Sequence, residues 1–147
     1  MTRKAKKRDI ALLDSLLLLL YKNDEDYNPK SHAKALRKLI KYKELGRLFF
    51  YELDESIVAL GTLVYQFSVR KNRTIGVIDE IIVHPDYQNS GIATDLIREI
   101  MNYAKGKKIK ELRISYEHDE PKMARVLQKL EFKESSALTM RKKLKND

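Results

Sequence analysis

The chain of 147 residues is 43% hydrophobic and 35% charged, with 30 Lys and Arg against 21 Asp and Glu. Such a chain fits one domain around one core, residues 1–147, and excludes a disordered polymer. It has no cysteine, which excludes a disulfide scaffold or thiolate metal site and is compatible with a reducing, cytoplasmic location. The formal charge of +9 favours anionic partners, although dense runs such as Lys105 to Lys110 and Arg141 to Lys145 read first as solvated helix ends and edge strands.

Basic residues from Arg3 to Arg8 precede the apolar run Leu16 to Leu20, in the manner of a signal sequence. Asp14 interrupts that stretch, Tyr21-Lys22-Asn23-Asp24 ends it short of a membrane span, and no small-residue cleavage site follows. A buried amphipathic helix over 8–22 is expected instead, from Ile10, Leu13, Leu16, Leu17 and Leu20, with no membrane association. The polar loop KNDEDYNPK (22–30) follows. Ala33, Leu36, Leu39 and Ile40 mark a second, basic helix ended near Gly46.

RLFFYEL (47–53) and SIVALGTLVYQFSV (56–69) flank the short turn Asp54-Glu55 and predict a hairpin. Lys71-Asn72-Arg73 turns the chain into a third strand, TIGVIDEIIVH (74–84), stopped by Pro85. Apolar residues from Ala93 to Ala104 predict a helix from about Gly91 to Lys105. KELRIS (110–115) reads as a strand, and Met123, Val126, Leu127 and Leu130 as a further helix with Asp119 as N-cap and Pro121 in its first turn. Two short strands, near Phe132 and over Ala137 to Leu144, are expected to close the chain. The order (β)ααβββαβαββ, its first strand a minimal one at residues 2–5, is an α/β (α+β) sandwich around one mixed sheet.

HPDYQNSGIATDLI (84–97) joins the third long strand to its helix through a glycine. The first turn of a helix has backbone N–H groups without internal acceptors and carries partial positive charge. A residue without a side chain lets phosphate oxygens come close to that backbone. Ser90 and Thr94 add hydroxyls. The segment lacks the lysine of a Walker loop and the three glycines of a dinucleotide fingerprint.

The longer stretch VIDEIIVHPDYQNSGIATDLIREIM resembles the cofactor-binding motif of the GNAT superfamily of N-acetyltransferases, where a strand ends in V-x-P and [QR]-x-x-G-x-[GA] opens a helix. Val83, Pro85, Gln88, Gly91 and Ala93 occupy those positions. The likeness extends over nearly the whole chain, and LQKLEF (127–132) is similar to the family's L-Y-E-K-L-G-F. The resemblance implies a GNAT-like fold and an acetyl-CoA-dependent transfer of acetyl to a primary amine of a small molecule or peptide, by direct attack in a ternary complex. It implies that backbone groups of Gln88, Asn89, Ser90, Gly91, Ile92 and Ala93 hold the pyrophosphate. Those of Ile81, Ile82 and Val83 would pair with pantetheine, and N–H groups near Ile82 and Val83 would face the thioester carbonyl.

Acetylating an amine requires removal of a proton from nitrogen. Asp79 and Glu80 precede the implied cofactor edge; the longer Glu80 is the candidate base and Asp79 the alternative. Strand alternation groups Asp79 with Ile81 and Val83, and a bulge would reverse the choice. Leu127 stands where the family motif has a tyrosine often proposed as general acid, and is expected against pantetheine or core. Pro121 replaces a common cofactor-contacting asparagine, and Glu131 the glycine before Phe132. Tyr116 is the candidate substitute acid, with unassisted departure or water as alternatives. His84 reads as a turn residue, and with His32 and His118 scattered no metal site is expected.

In the family, acceptors meet the loop between the first two helices and the loop between the last two strands, here 22–30 and 134–138. Asp24, Glu25, Asp26 and Tyr27 are the acceptor candidates, and Tyr65 could also line that pocket or belong to the core. A catalytically weak CoA-binding module of the same fold is the competing function, motivated by Leu127. Nucleic-acid binding is disfavoured, since no aromatic-interleaved basic motif or helix-turn-helix is evident. A homodimer through sheet edges or terminal strands is open.

Overall fold

Ile10, Leu13 and Leu17 recur at three- and four-residue spacing, so a helix gathers them on one face, and all three are buried. The computed structural model describes residues 2–6, 9–21, 24–117 and 120–145. In it this helix is α1 (Ile10–Tyr21). The next, α2 (Pro29–Lys41), starts where Asn28 Oδ1 accepts the Ser31 N–H at 3.0 Å and Pro29 takes a first-turn position. α2 stops at Lys41, earlier than the glycine signal suggested. Gly46 instead opens a strand, at a position that only glycine fits: a Cβ there would lie 1.9 Å from the Leu63 carbonyl oxygen.

The sheet has the order β1 (Thr2–Lys4), β2 (Gly46–Leu53), β3 (Ser56–Ser68), β4 (Arg73–Val83), β5 (Leu112–Ile114). The first four are antiparallel neighbours, and β5 lies parallel to β4. That parallel pairing requires a crossover, which α3 (Ile92–Gly106) supplies. The last helix is α4 (Pro121–Lys129). The sheet divides two half-cores. Leu13, Leu17, Leu36, Leu48, Phe50, Leu60 and Ile82 pack on the α1–α2 side, and Phe49, Leu63, Ile78, Leu96, Ile97, Ile100 and Leu127 on the α3–α4 side.

The register of β3 against β4 jumps from Thr62↔Glu80 to Leu63↔Ile78, leaving Asp79 as an extra residue. This is a β-bulge, and it interrupts the alternation of the strand. Ile78 faces the α3 side, yet Ile82 lies in the α1–α2 half-core, while Ile81 and Val83 pack toward α3. The N–H of Glu80 donates to Thr62 Oγ1 at 3.0 Å, so a buried hydroxyl replaces the ladder acceptor that the bulge displaces.

The expected element order is found except at its end. Residues 130–145 form no strand, so neither the strand near Phe132 nor that over Ala137 to Leu144 is present. Leu138, Met140 and Leu144 are 82–90% exposed; with four cations between Arg141 and Lys145, the segment buries no face that would hold it in a ladder. The α4 N-cap is Glu120, without a side-chain cap bond, while Asp119 lies outside the described residues, as do Lys22 and His118.

Thr62→Val keeps the shape of the buried side chain but removes the acceptor of the Glu80 N–H. It should cost about 1–3 kcal/mol of stability in denaturant unfolding; an unchanged midpoint would show that this bond does not hold the bulge.

Candidate active site

β4 pairs with β5 only at Gly76↔Leu112, Val77↔Arg113 and Ile78↔Ile114. The contact ends at the residue before the bulge. From Asp79 to Val83, no strand among the described residues runs along that edge of β4, so its backbone groups border an opening between β4 and β5. The Val83 carbonyl accepts from Gln88 Nε2 at 3.3 Å.

After Val83 the chain makes a short 3-10 turn, Pro85–Tyr87, in which His84 Nδ1 accepts the Asp86 N–H at 3.1 Å. His84 is therefore the turn residue its sequence position suggested. Asn89 at φ 63° and Gly91 at φ 84° then bend the backbone sharply into α3. Gly91 is the N-cap and provides no side-chain cap, and a Cβ at Gly91 would meet nothing within 4 Å. The first N–H groups of α3, at Ile92, Ala93 and Thr94, thus lack intrahelical acceptors beside open space. Two expectations change in detail: the Ser90 hydroxyl donates to its own turn, at the Tyr87 carbonyl, and Thr94 is buried. At the surface end of this helix, therefore, backbone amides are the available donors.

The bulge turns Glu80 toward α1 and α2. Tyr21 OH donates to Glu80 Oε2 at 2.9 Å, and His32 Nε2 lies 3.1 Å from Oε1. Tyr27 completes the group, its ring 5.3 Å from that of Tyr21 and 5.6 Å from that of His32. His32 Nδ1 is buried without a hydrogen-bond partner.

Burial pushes the Glu80 carboxyl up, but the hydrogen bond and charge of His32 and the Tyr21 hydroxyl outweigh it and leave the group below its usual range. His32 is raised, chiefly by its hydrogen bond to Glu80 and against the opposing effect of burial. Burial, then the Glu80 charge, raises Tyr21. Asp79 moves opposite to Glu80: burial and the adjacent Glu80 raise it. The two carboxylates are thus pushed apart, one held ionised by donors and the other left to a like charge.

Among the acceptor candidates, Tyr27 joins the Glu80 group. Asp24, Glu25 and Asp26 form an exposed turn beside it, with Asp24 Oδ1 accepting the Asp26 N–H at 2.8 Å and Lys143 Nζ 3.7 Å from Asp26 Oδ1. Tyr65 lies elsewhere, on the α3 side, where its hydroxyl meets Tyr103. Tyr116 follows β5, is 41% exposed, and makes no hydrogen bond or ring contact with the described residues. Leu127 is buried in the half-core under α3.

His32 and Tyr21 were absent from the sequence-derived site. Their signal was helical register: His32 is four residues before Leu36, and Tyr21 four after Leu17. Each is therefore a polar ring on the buried stripe of its helix.

The sequence profile of the acetyltransferase (GNAT) family matches residues 13–132. The chain belongs to the GNAT acetyltransferase family. No curated protein matches it in sequence. The fold is shared by a possible acetyltransferase from Clostridium difficile 630, at TM-score 0.84 and 19% identity over 99% of this chain and 98% of that one. An aminoglycoside acetyltransferase from an uncultured soil metagenomic sample, in complex with sisomicin, matches at TM-score 0.82 and 16% identity over 99% and 96%. An aminoglycoside N-acetyltransferase in complex with CoA matches at TM-score 0.83 and 15% identity over 97% and 93%. Use of CoA or acetyl-CoA thus accords with the family and with a solved neighbour. No helix of the described residues is long and apolar enough to cross a membrane.

Because His32 lies above its ordinary 6.5 in the fold, its contribution to stability is full below that pH and is lost as pH rises through the folded value. Glu80 lies below its ordinary 4.5, so its contribution is full above that pH and is lost as pH falls through the depressed value. The stability lost in His32→Gln should therefore be largest between about pH 4.5 and 6.5 and shrink toward pH 9. Denaturant unfolding of both proteins across that range tests this, and a gap independent of pH would mean that the pair does not ionise as described.

Proposed function

We propose that residues 1–147 form one domain acting as an acetyl-CoA-dependent N-acetyltransferase on a primary amine of a small molecule or peptide, by direct attack in a ternary complex. The observation that carries this reading is the common placement of three features along residues 79–94: an unpaired β4 edge, the uncapped amides of α3, and the Glu80 carboxylate. The open space at Gly91 and the orphan N–H groups suit a pyrophosphate. Ile81, Ile82 and Val83 present the strand edge for the pantetheine amides, and Gln88 to Ala93 hold the phosphates.

Acetyl-CoA supplies the acetyl group as an activated thioester. Glu80, kept ionised by His32 and Tyr21, takes a proton from the acceptor ammonium directly or through water; the freed nitrogen forms the new bond to the acetyl carbon as the C–S bond breaks, and its second proton passes to water. The proton stays on the Glu80–His32 pair until solvent removes it. Tyr116 is the candidate to protonate the departing thiolate, with water as the alternative. Asp24, Glu25 and Asp26 attract the cationic amine, and Tyr27 offers a ring face beside Glu80.

The buried Leu127, and a Tyr116 hydroxyl without a hydrogen bond among the described residues, favour a second reading, a CoA-binding module with little turnover. Thiol release measured against a panel of amines separates the two.

Acetyl-CoA at a hundredfold excess over its dissociation constant should stabilise the fold by about 2.7 kcal/mol, seen as a raised melting temperature. Gly91→Glu, which places a carboxylate in the phosphate space and a side chain at positive φ, should abolish that shift in a folded variant. Flat melting and calorimetric curves with the unaltered protein would reject the cofactor assignment.

Glu80→Gln should lower turnover about 10²–10⁴-fold at neutral pH, with the deficit narrowing at high pH, where free amine is abundant. Asp79→Asn should change it much less. A deficit equal at every pH would make Glu80 a positioning group instead of a base.

A further inference from the structure

At the opposite end of the sheet from Gly91, where α2 and α3 terminate, lies a cavity of about 380 Å³, within the range of small-molecule sites. Its floor is apolar, with Leu39, Ile40, Leu48 and Ile109 in the lining, while Lys43, Arg47 and Lys107 supply three positive charges. The fifteen residues of α3 separate this place from the uncapped amides by about 22 Å, so the two are distinct sites.

Arg47 is the unusual member. Its guanidinium carbon lies 4.2 Å from the Tyr103 ring centroid and 5.3 Å from that of Phe49, in the corner made by two rings that meet at 76°. Its Nε is buried and has no hydrogen-bond partner, a costly state for a charged donor. Among the described residues, none of Lys43, Arg47 and Lys107 forms an ion pair. Other cations of this chain do find acids: Lys71, Arg73 and Arg113 all converge on Glu111.

The local field is visible in the paired phenols. Burial pushes Tyr103 up, yet the hydrogen bonds of Tyr65 and Arg47, and then the charges of Arg47 and Lys107, leave it below its ordinary value of 10. The negative pole of α3 accounts for a lysine at Lys107, just past its last turn. It does not account for Arg47, which is on β2 and under two rings.

We propose that this cavity binds a small organic anion, a carboxylate or phosphate head group on a short apolar body. The Arg47 guanidinium donates to the head group, Lys43 and Lys107 complete its charge, and the apolar lining takes the body. An arginine fixed against aromatic rings is suited to such a group, because its planar fork loses little freedom on binding carboxylate or phosphate.

The test titrates the ¹⁵N-labelled full chain with hexanoate, hexyl phosphate and, as the neutral counterpart, hexanol, following the Arg47 Nε–H and the Tyr103 and Lys107 amide signals. The expected result is a saturable shift with at least one anion and none with hexanol; the tighter of the two anions identifies the head group. Arg47→Met should weaken binding at least about tenfold, read at the two amides. Should that variant not fold, Lys43→Ala combined with Lys107→Ala, both exposed positions, should weaken binding by a similar factor. Absence of a saturable shift with both anions, an equal response to hexanol, or affinity unchanged in the folded variants would overturn the proposal. Each readout is remote from Gly91, so failure here leaves the acetyl-CoA assignment standing.

Discussion

One extra residue in β4 governs the arrangement on both sides of the sheet. Without Asp79 as a bulge, Glu80 and Ile82 would share a face with Ile78 and point under α3. With it, they turn toward α1 and α2, and Ile81 and Val83 take their place on the α3 side. Pairing with β5 ends at the same point. The bond from the Glu80 N–H to Thr62 Oγ1 is what makes this affordable, since a bulge buried in a central strand otherwise strands a backbone donor.

The two halves of the candidate site use opposite electrostatic means. At the α3 terminus, donors are left open and uncapped, ready for negative charge. At Glu80, the carboxylate is enclosed by Tyr21 and His32, so its charge is already satisfied within the fold. A carboxylate in that state is a weak proton acceptor by itself. The histidine changes this only while it is neutral, when a proton arriving at the pair can rest on its nitrogen instead of on the low-affinity carboxylate. Placing this pair beside the acidic turn at Asp24 to Asp26 gives a chain of net charge +9 one region of the opposite sign.

Much of the fold was legible because its signals are local. Period-three-and-four apolar spacing located α1 to α4, alternation and turn residues located β2 to β4, and the strand–glycine–helix junction located the α3 amides. The closing strands misled for the same reason: Ala137 to Leu144 alternates like a strand, but a strand exists only with a partner, and alternation does not report one. Glu80 was preferred over Asp79 for its length, whereas its direction depends on a bulge that no residue type announces. The cluster around it was hidden because Tyr21 and His32 come from separate helices, 59 and 48 residues from Glu80 in sequence. Polar rings in register with leucines were the available clue.

An open strand edge within a sheet also invites any other extended chain to add itself there. From Asp79 to Val83 this molecule carries such an edge, and several features limit who can use it. The bulge twists the strand away from the flat geometry that stacking requires, Asp79 puts a charge at its base, and Pro85 removes a donor just beyond its end. Beside it, pairing with β5 stops at Ile78, and α3 begins after Gly91. A slender amide-bearing thread needs only the backbone edge, whereas a full strand also needs room for side chains on both faces. The constraints that suit this edge to a thin ligand are therefore also those that disfavour self-association along it.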